Sequence, residues 1–356
     1  MKKRIKLLSS ISLFLVLSAP VWALAANGDE EVVKKKTISK TYNVSSEDKL
    51  EIENSFGNIV VNIWDKNEIA VDIEIGAKAS SEARAQGIMD ELDVKETHSG
   101  NIIGFKTKVG EIHGGDGHHR DENDENRSFY VDYVIHMPAG NRMELENSFG
   151  KLTVPDIEAE CSLTSKFGSL TAGRLHNVNS IDVEFGRADI AEIRNGKAVF
   201  KFDKLAHVAK ISGNAKLTTE FSHNVQFSIG NAIDECYVYE SYSDVRVVVP
   251  EDLSAEFNVH TSFGSFHNDT DFKIREEREG ENDYGPHFDK DYTGKAGDGK
   301  AHIRIKSSFG SVRLSHTPGS DKDNDGDDED DKGKNKHKNK NKDKDKDNDD
   351  DDTTTT

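Results

Sequence analysis

A Phe-Gly phrase recurs along the 356-residue chain and constrains its fold more than any other feature. It reads "NSFGNIVVN" at 54–62, "NSFGKLTVP" at 147–155, "SKFGSLTAG" at 165–173, "VEFGRADIA" at 183–191, "TSFGSFHND" at 261–269 and "SSFGSVRLS" at 307–315. Aligned on the Phe, apolar residues fall six and four positions before it and three and five after. Around Phe149 these are Met143, Leu145, Leu152 and Val154, and around Phe167 they are Cys161, Leu163, Leu170 and Ala172. A spacing of two is the strand period, so each phrase predicts strand, bend, strand. The Gly is expected to supply the bend or to allow a close approach of backbone.

Weaker copies surround Phe185, Phe202, Phe221 and Tyr242, with Leu205 expected inward after Phe202 and a bulge expected before Val225. The anchors at 149, 167, 185, 202, 221, 242 and 263 are 17 to 21 residues apart. A period near twenty with several short strands per unit indicates a solenoid. The expected fold is therefore all-β, a right-handed parallel β-helix, with the Phe column packed inside it. A β-sandwich also has many short strands, but it needs neither a fixed period nor a repeated Phe-Gly. Cys161 and Cys236 both lie six before an anchor, four rungs apart, or about 19 Å at the strand spacing. They are expected to be free and buried, because a disulfide needs Cα atoms within about 7 Å.

Two stretches interrupt the period. Between Phe56 and Phe149 lies a helix-like run, "SSEARAQGIMDELDV" at 80–94, with Ser80 or Ser81 as cap and Ala83, Ile88 and Leu92 to pack. Residues 26–142 are expected to form an amino-terminal cap and first rung with one short α-helix, and 143–316 the solenoid repeats. A polar excursion separates Phe263 from Phe309.

The order of "LEIENSFGNIVVNIW", a helix, "MPAGNRMELENSFGKLTV", serial Phe-Gly rungs and "IRIKSSFGSVRL" resembles the bacterial putative-adhesin family of β-solenoid domains, over about residues 40–316. The resemblance implies a cell-envelope or secreted location. It brings no catalytic motif.

The ends differ from the middle. Lys2, Lys3, Arg4 and Lys6 precede an apolar stretch through Leu13–Leu17, and Ala23-Leu24-Ala25 fits a signal-peptidase site. Residues 1–25 are thus expected to be a cleaved signal peptide, and Pro20 and the short run argue against a membrane anchor. From Thr317 onward there is no aromatic or branched aliphatic residue, so 317–356 is expected to be a disordered charged tail. The chain carries −19; four positive charges leave with the signal, giving −23, and the tail accounts for −6 of that. The remaining −17 opposes binding to nucleic acid and to anionic membranes.

Chemistry-bearing motifs are sparse. His113, Asp116, His118, His119 and Asp121 crowd a Gly-rich loop without a metal-site spacing. Asp321, Asp323 and Asp325 with Gly326 open like a calcium loop, but Lys332 stands where the bidentate Glu belongs, so weak Ca2+ binding is the expectation. Outward charges such as Asp182, Glu184, Arg187 and Asp189 suit any solvated strand. No nucleophile elbow, serine triad or phosphate loop is present, and no cofactor is expected. The function expected is that of an exported, monomeric, non-catalytic adhesin or envelope module binding a glycan or an envelope protein, in the periplasm, at the cell surface or secreted. The alternatives are a polysaccharide-active β-helix enzyme and a periplasmic partner that reports envelope state.

Overall fold

The computed structural model describes residues 31–110, 128–277 and 288–319. Segment 1–25, the His-rich loop with His113, Asp116, His118, His119 and Asp121, and the tail with Asp321, Asp323 and Asp325 lie outside the described residues. So do residues 278–287.

Strand-period sequence dominates, and strands follow. In chain order they are β1 (Val32–Asn43), β2 (Lys49–Ser55), β3 (Ile59–Ile63), β4 (Glu68–Ala79), β5 (Leu92–Ser99), β6 (Ile102–Val109), β7 (Ser128–Met137), β8 (Arg142–Ser148), β9 (Lys151–Val154) and β10 (Ile157–Lys166). Then come β11 (Ser169–Glu184), β12 (Arg187–Lys201), β13 (Leu205–Glu220), β14 (Val225–Ser241), β15 (Asp244–Val248) and β16 (Ala255–Ser262). The last are β17 (Ser265–Asp269), β18 (Lys273–Glu276), β19 (Asp289–Ala296), β20 (Ala301–Ser308) and β21 (Ser311–Ser315). Among the described residues one helix, α1 (Glu82–Asp90), interrupts them. The chain is all-β as expected, but the sheet is mixed, so a purely parallel description does not fit.

Parallel pairing occupies the repeats. Thr164 lies beside Asp182, Ser169 beside Arg187 and Arg187 beside Leu205, each eighteen residues on. Like positions therefore stack on like positions. Buried residues advance by two along straight segments and by three at corners, as in Ala172, Leu175, Val178 and Ile181. The corners create an interior column outside the sequence template: Ile157, Leu175, Ile193, Ile211 and Ile229, each beside the next and none more than 3% exposed. Burying such side chains contributes about 1.5–3 kcal/mol each.

The 93-residue interval from the first anchor to the second contains an insertion. β2 pairs directly with β8, Asn54 beside Asn147 and Ser55 beside Ser148, so Phe56 is the neighbour of Phe149. Antiparallel pairs β1–β4, β4–β7 and β5–β6 fill the interval. The Ser81 hydroxyl caps α1 by accepting from the Arg84 amide at 3.3 Å, as one of the two expected caps. The packing face is shifted from expectation. Ala85 and Ile88 are buried, Ala83 is exposed, and Leu92 is buried as the first residue of β5.

A second departure lies at the other end. β20 pairs with β14 on one side and β16 on the other, so the chain order Tyr242, Phe263, Phe309 becomes the spatial order Tyr242, Phe309, Phe263. β19 then pairs antiparallel with β16 and with β18. Among the described residues the two cysteines are free and buried. The positions between them run Val178, Gly196 and Ala215, four steps as the register expects.

Candidate functional site

Every anchor aromatic sits in the left-handed backbone region, from φ 51° at Phe221 to φ 62° at Phe56. That region costs an L-residue roughly 1–2 kcal/mol. The rings face outward and stack: Phe56, Phe149, Phe167, Phe185, Phe202, Phe221, Tyr242, Phe309 and Phe263 form one ladder. Centroid separations run from 4.7 Å at Phe221–Tyr242 to 5.2 Å at Phe202–Phe221, with near-parallel planes. Phe288 continues the stack beyond Phe263 at 4.6 Å, and Phe129 meets Phe56 edge-on. Exposures range from 37% at Phe56 to 55% at Phe263, so the expected internal column is corrected to an external one. Stacking at about 0.5–1.5 kcal/mol per pair offsets the backbone cost. The rings cover one another's faces and leave a ridge of edges.

Beneath the ladder the backbone closes tightly. A Cβ on Gly168 would stand 2.0 Å from the Gly150 carbonyl oxygen, and one on Gly186 2.2 Å from that of Gly168. The Gly is therefore needed for close approach, while the Phe itself supplies the bend. Three bends lack the Gly and use polar side chains. Asp203 accepts from the Gly186 amide at 2.7 Å, Ser222 from the Asp203 amide at 3.1 Å, and Ser243 from the Ser222 amide at 3.0 Å. The bends at Phe202 and Phe221 each hold one extra residue, so Val225 is buried as the expected bulge requires, and Ala206, beside Ala188, is buried where Leu205 had been expected.

Burial leaves marks on these groups. It pushes the Asp203 carboxyl up to about 7, helped by Asp182 and Glu184 and opposed by the Gly186 amide. One Asp203 oxygen finds no hydrogen-bond partner among the described residues. Glu240 is also raised by burial, although Ser307 and the Ser243 amide donate to it. Both thiols are pushed up to about 12 by burial, which keeps them protonated and unreactive.

The intercalation of β20 builds a feature that no single segment encodes. Two rows of outward side chains cross four adjacent strands: Tyr237, Arg304, Asn258, Thr293, and below them Tyr239, Lys306, His260, Asp291. They line an open cleft of about 400 Å3. Arg304 donates to the Tyr237 hydroxyl at 2.8 Å and lies over its ring, 5.2 Å from the centroid. Lys216 of β13, next to Tyr237 in register, lies 4.9 Å over Tyr239. His260 and Asp291 are linked at 2.8 Å, and Thr293 donates to Glu277 at 2.9 Å. Among the described residues Lys216, Arg304 and Lys306 have no carboxylate partner within salt-bridge distance, whereas Lys210 pairs with Glu192 and Arg313 with Asp269. The cleft can thus offer cationic donors, neutral hydrogen-bonding groups and carboxylate acceptors to one ligand.

The outward charges singled out from sequence do not converge in the same way. Asp189 pairs with His207 at 3.0 Å, Arg187 is exposed, and Asp182 is half-buried with its carboxyl raised by burial and by Glu184. None of the cleft residues was singled out from sequence. Tyr237, Asn258, Asp291 and Arg304 are far apart along the chain and meet only because β20 is inserted between β14 and β16.

Among the described residues no helix is long and apolar enough to cross a membrane, and no group of three or more metal-ligating side chains converges. No family model and no curated protein sequence matches the chain. Among solved structures, the chain is similar to a putative cell adhesion protein from Clostridium sporogenes, at 12% identity over 79% of this chain and 99% of the other, with TM-score 0.22. A putative adhesin from Bacteroides fragilis gives 14% identity, 78% and 97% coverage and TM-score 0.30. A putative lipid binding protein from Parabacteroides distasonis gives 10%, 78%, 96% and 0.33.

Proposed function

We propose that this is an exported, non-catalytic, adhesin-like binding protein, built as a right-handed β-solenoid with residues 26–142 as its amino-terminal cap and 317–356 as a charged tail. The observation that carries the reading is the outer-face cleft. Two cations without carboxylate partners among the described residues, two tyrosines and a set of hydrogen-bonding groups converge on one rigid sheet surface, with a third such cation, Lys216, one strand beyond the tyrosines. Stacked, in-register strands hold such groups at fixed spacing, and preorganisation lowers the ordering cost of binding.

The non-catalytic part is supported by where the perturbed groups lie. Asp203, Glu240, Cys161 and Cys236 are buried on the inward side of their strands, opposite the outer face that carries the cleft, and Tyr292 at the cleft is raised by its own burial, whereas catalytic groups are shifted where substrate can reach them. The amino-terminal signal pattern and the family resemblance support export.

The test is protease digestion of the tagged protein on intact cells, with a periplasmic protein as internal control, followed by incubation of purified protein with envelope polysaccharide. The reading expects digestion while the control survives, and retention of the protein on polysaccharide with no new reducing ends. Protection until the outer membrane is opened would move the protein to the periplasm and end the adhesin reading. Release of sugar fragments would end the non-catalytic one.

A further inference from the structure

We infer that the cleft binds an acidic glycan, a chain of sugars bearing carboxylates; this rests on the binding reading above and names its ligand class. The argument begins with charge. Outside the tail and signal the chain carries −17, yet Arg304 and Lys306 stand together on β20, with Lys216 on β13 beyond the intervening tyrosines of β14, and none of the three has a carboxylate within salt-bridge distance among the described residues. Lys197, exposed and beside Lys216 in register, extends the row by one strand. Exposed cations at neighbouring positions of a strongly acidic protein raise a local field that net charge hides, since charges beyond about 8 Å are screened at physiological salt.

Chemistry then narrows the class. Arg304 uses one donor on Tyr237 and keeps four, enough for a bidentate carboxylate contact. Bases of a nucleic acid would need free aromatic faces, but Arg304 lies over Tyr237 and Lys216 over Tyr239. Asp291 and Glu277 on the same rim direct a ligand's anionic groups toward Arg304 and Lys306, while their own oxygens accept from hydroxyl groups. Asn258 and the Tyr239 hydroxyl add neutral donors and acceptors, and Thr293, whose proton goes to Glu277, adds an acceptor. A ligand that carries anionic carboxylates and many hydroxyls matches this mixture. The in-register rows run across the strands, so an extended glycan laid along a row meets a tyrosine, a cation and an amide or imidazole in turn.

The experiment is calorimetric titration of the full chain with tetragalacturonate, against the neutral galactose tetramer and tetraglutamate. The inference expects saturable binding of tetragalacturonate, at least tenfold tighter than either comparator and weakened by salt. Arg304→Gln and Lys306→Gln should each cost tenfold or more with the melting temperature unchanged, Arg304→Lys should recover part of the loss, and Lys151→Gln beside the ladder should bind normally. Equal binding of the neutral tetramer or of tetraglutamate, still dependent on Arg304, would overturn the ligand class and leave the cleft as a binding site. Tetragalacturonate binding indifferent to both substitutions would overturn the site. Absence of binding to all three would overturn the inference, while retention on whole envelope polysaccharide would still uphold the broader reading.

Discussion

Two columns recur once per repeat and differ in the side they face. The Phe ladder stacks outside, and the Ile157–Leu175–Ile193–Ile211–Ile229 column stacks inside. Both repeat with the same period, so periodicity alone does not separate interior from exterior. Backbone conformation does. The left-handed residue at each anchor switches the inward parity, from four and two before the Phe to one, three and five after it, with one extra residue at Phe202 and Phe221. The ring is then left outside, with its neighbours in the stack as its main cover.

Breaking the interior side of this contrast should have the largest effect. Gly168→Val places a Cβ within 2.0 Å of the Gly150 carbonyl oxygen, on a backbone held by pairing on both sides. The expected loss is on the order of 4 kcal/mol or more, seen as failure to fold or a much lower midpoint in urea. An unchanged midpoint would mean that the bends can separate.

The bends without glycine sharpen the contrast through pH. Asp203 is raised by burial to about 7, so between about pH 4 and 7 the unfolded chain has lost its proton while the folded chain keeps it. This contribution to stability is full below pH 4, falls as pH rises and is gone above 7, by up to about 4 kcal/mol. Asp203→Asn should remove the decline and leave the variant more stable than the parent at pH 8. Parallel pH curves for the two proteins would place the carboxyl in water.

The smallest effect is the most specific. Phe167→Ala loses stacking but keeps the left-handed strain, whereas Phe167→Gly loses the same contacts and relieves it. The Gly variant should be about 1 kcal/mol more stable than the Ala variant, the reverse of the usual order in a strand. Chemical denaturation of the pair decides the point.

Strand period, repeat length and the two free cysteines were legible because each depends on local spacing. The side of the Phe column was misread for a physical reason. Two positions before each anchor lies a buried column that is mostly polar, including Asn54, Asn147, Ser165, Thr219 and Ser307. Asn54 donates to the Asn147 carboxamide oxygen at 3.0 Å, and Asn147 to the Gly57 carbonyl at 3.0 Å, so these side chains satisfy groups at the bend. Polar inside and apolar outside reverses the rule on which patterning rests. Phe200, in that same column, is apolar and fully buried beside Phe227, so there the usual rule holds. The cleft was illegible for a different reason, since the order β14, β20, β16 is a long-range choice with no local signal.

Hydroxyl-radical footprinting of the folded protein tests the central contrast without any substitution. The account predicts rapid oxidation at Phe149, Phe167 and Phe185 and protection at Phe200, Phe227 and Phe257. Protection of the anchor rings to the level of Phe200 would return the ladder to the interior and contradict it.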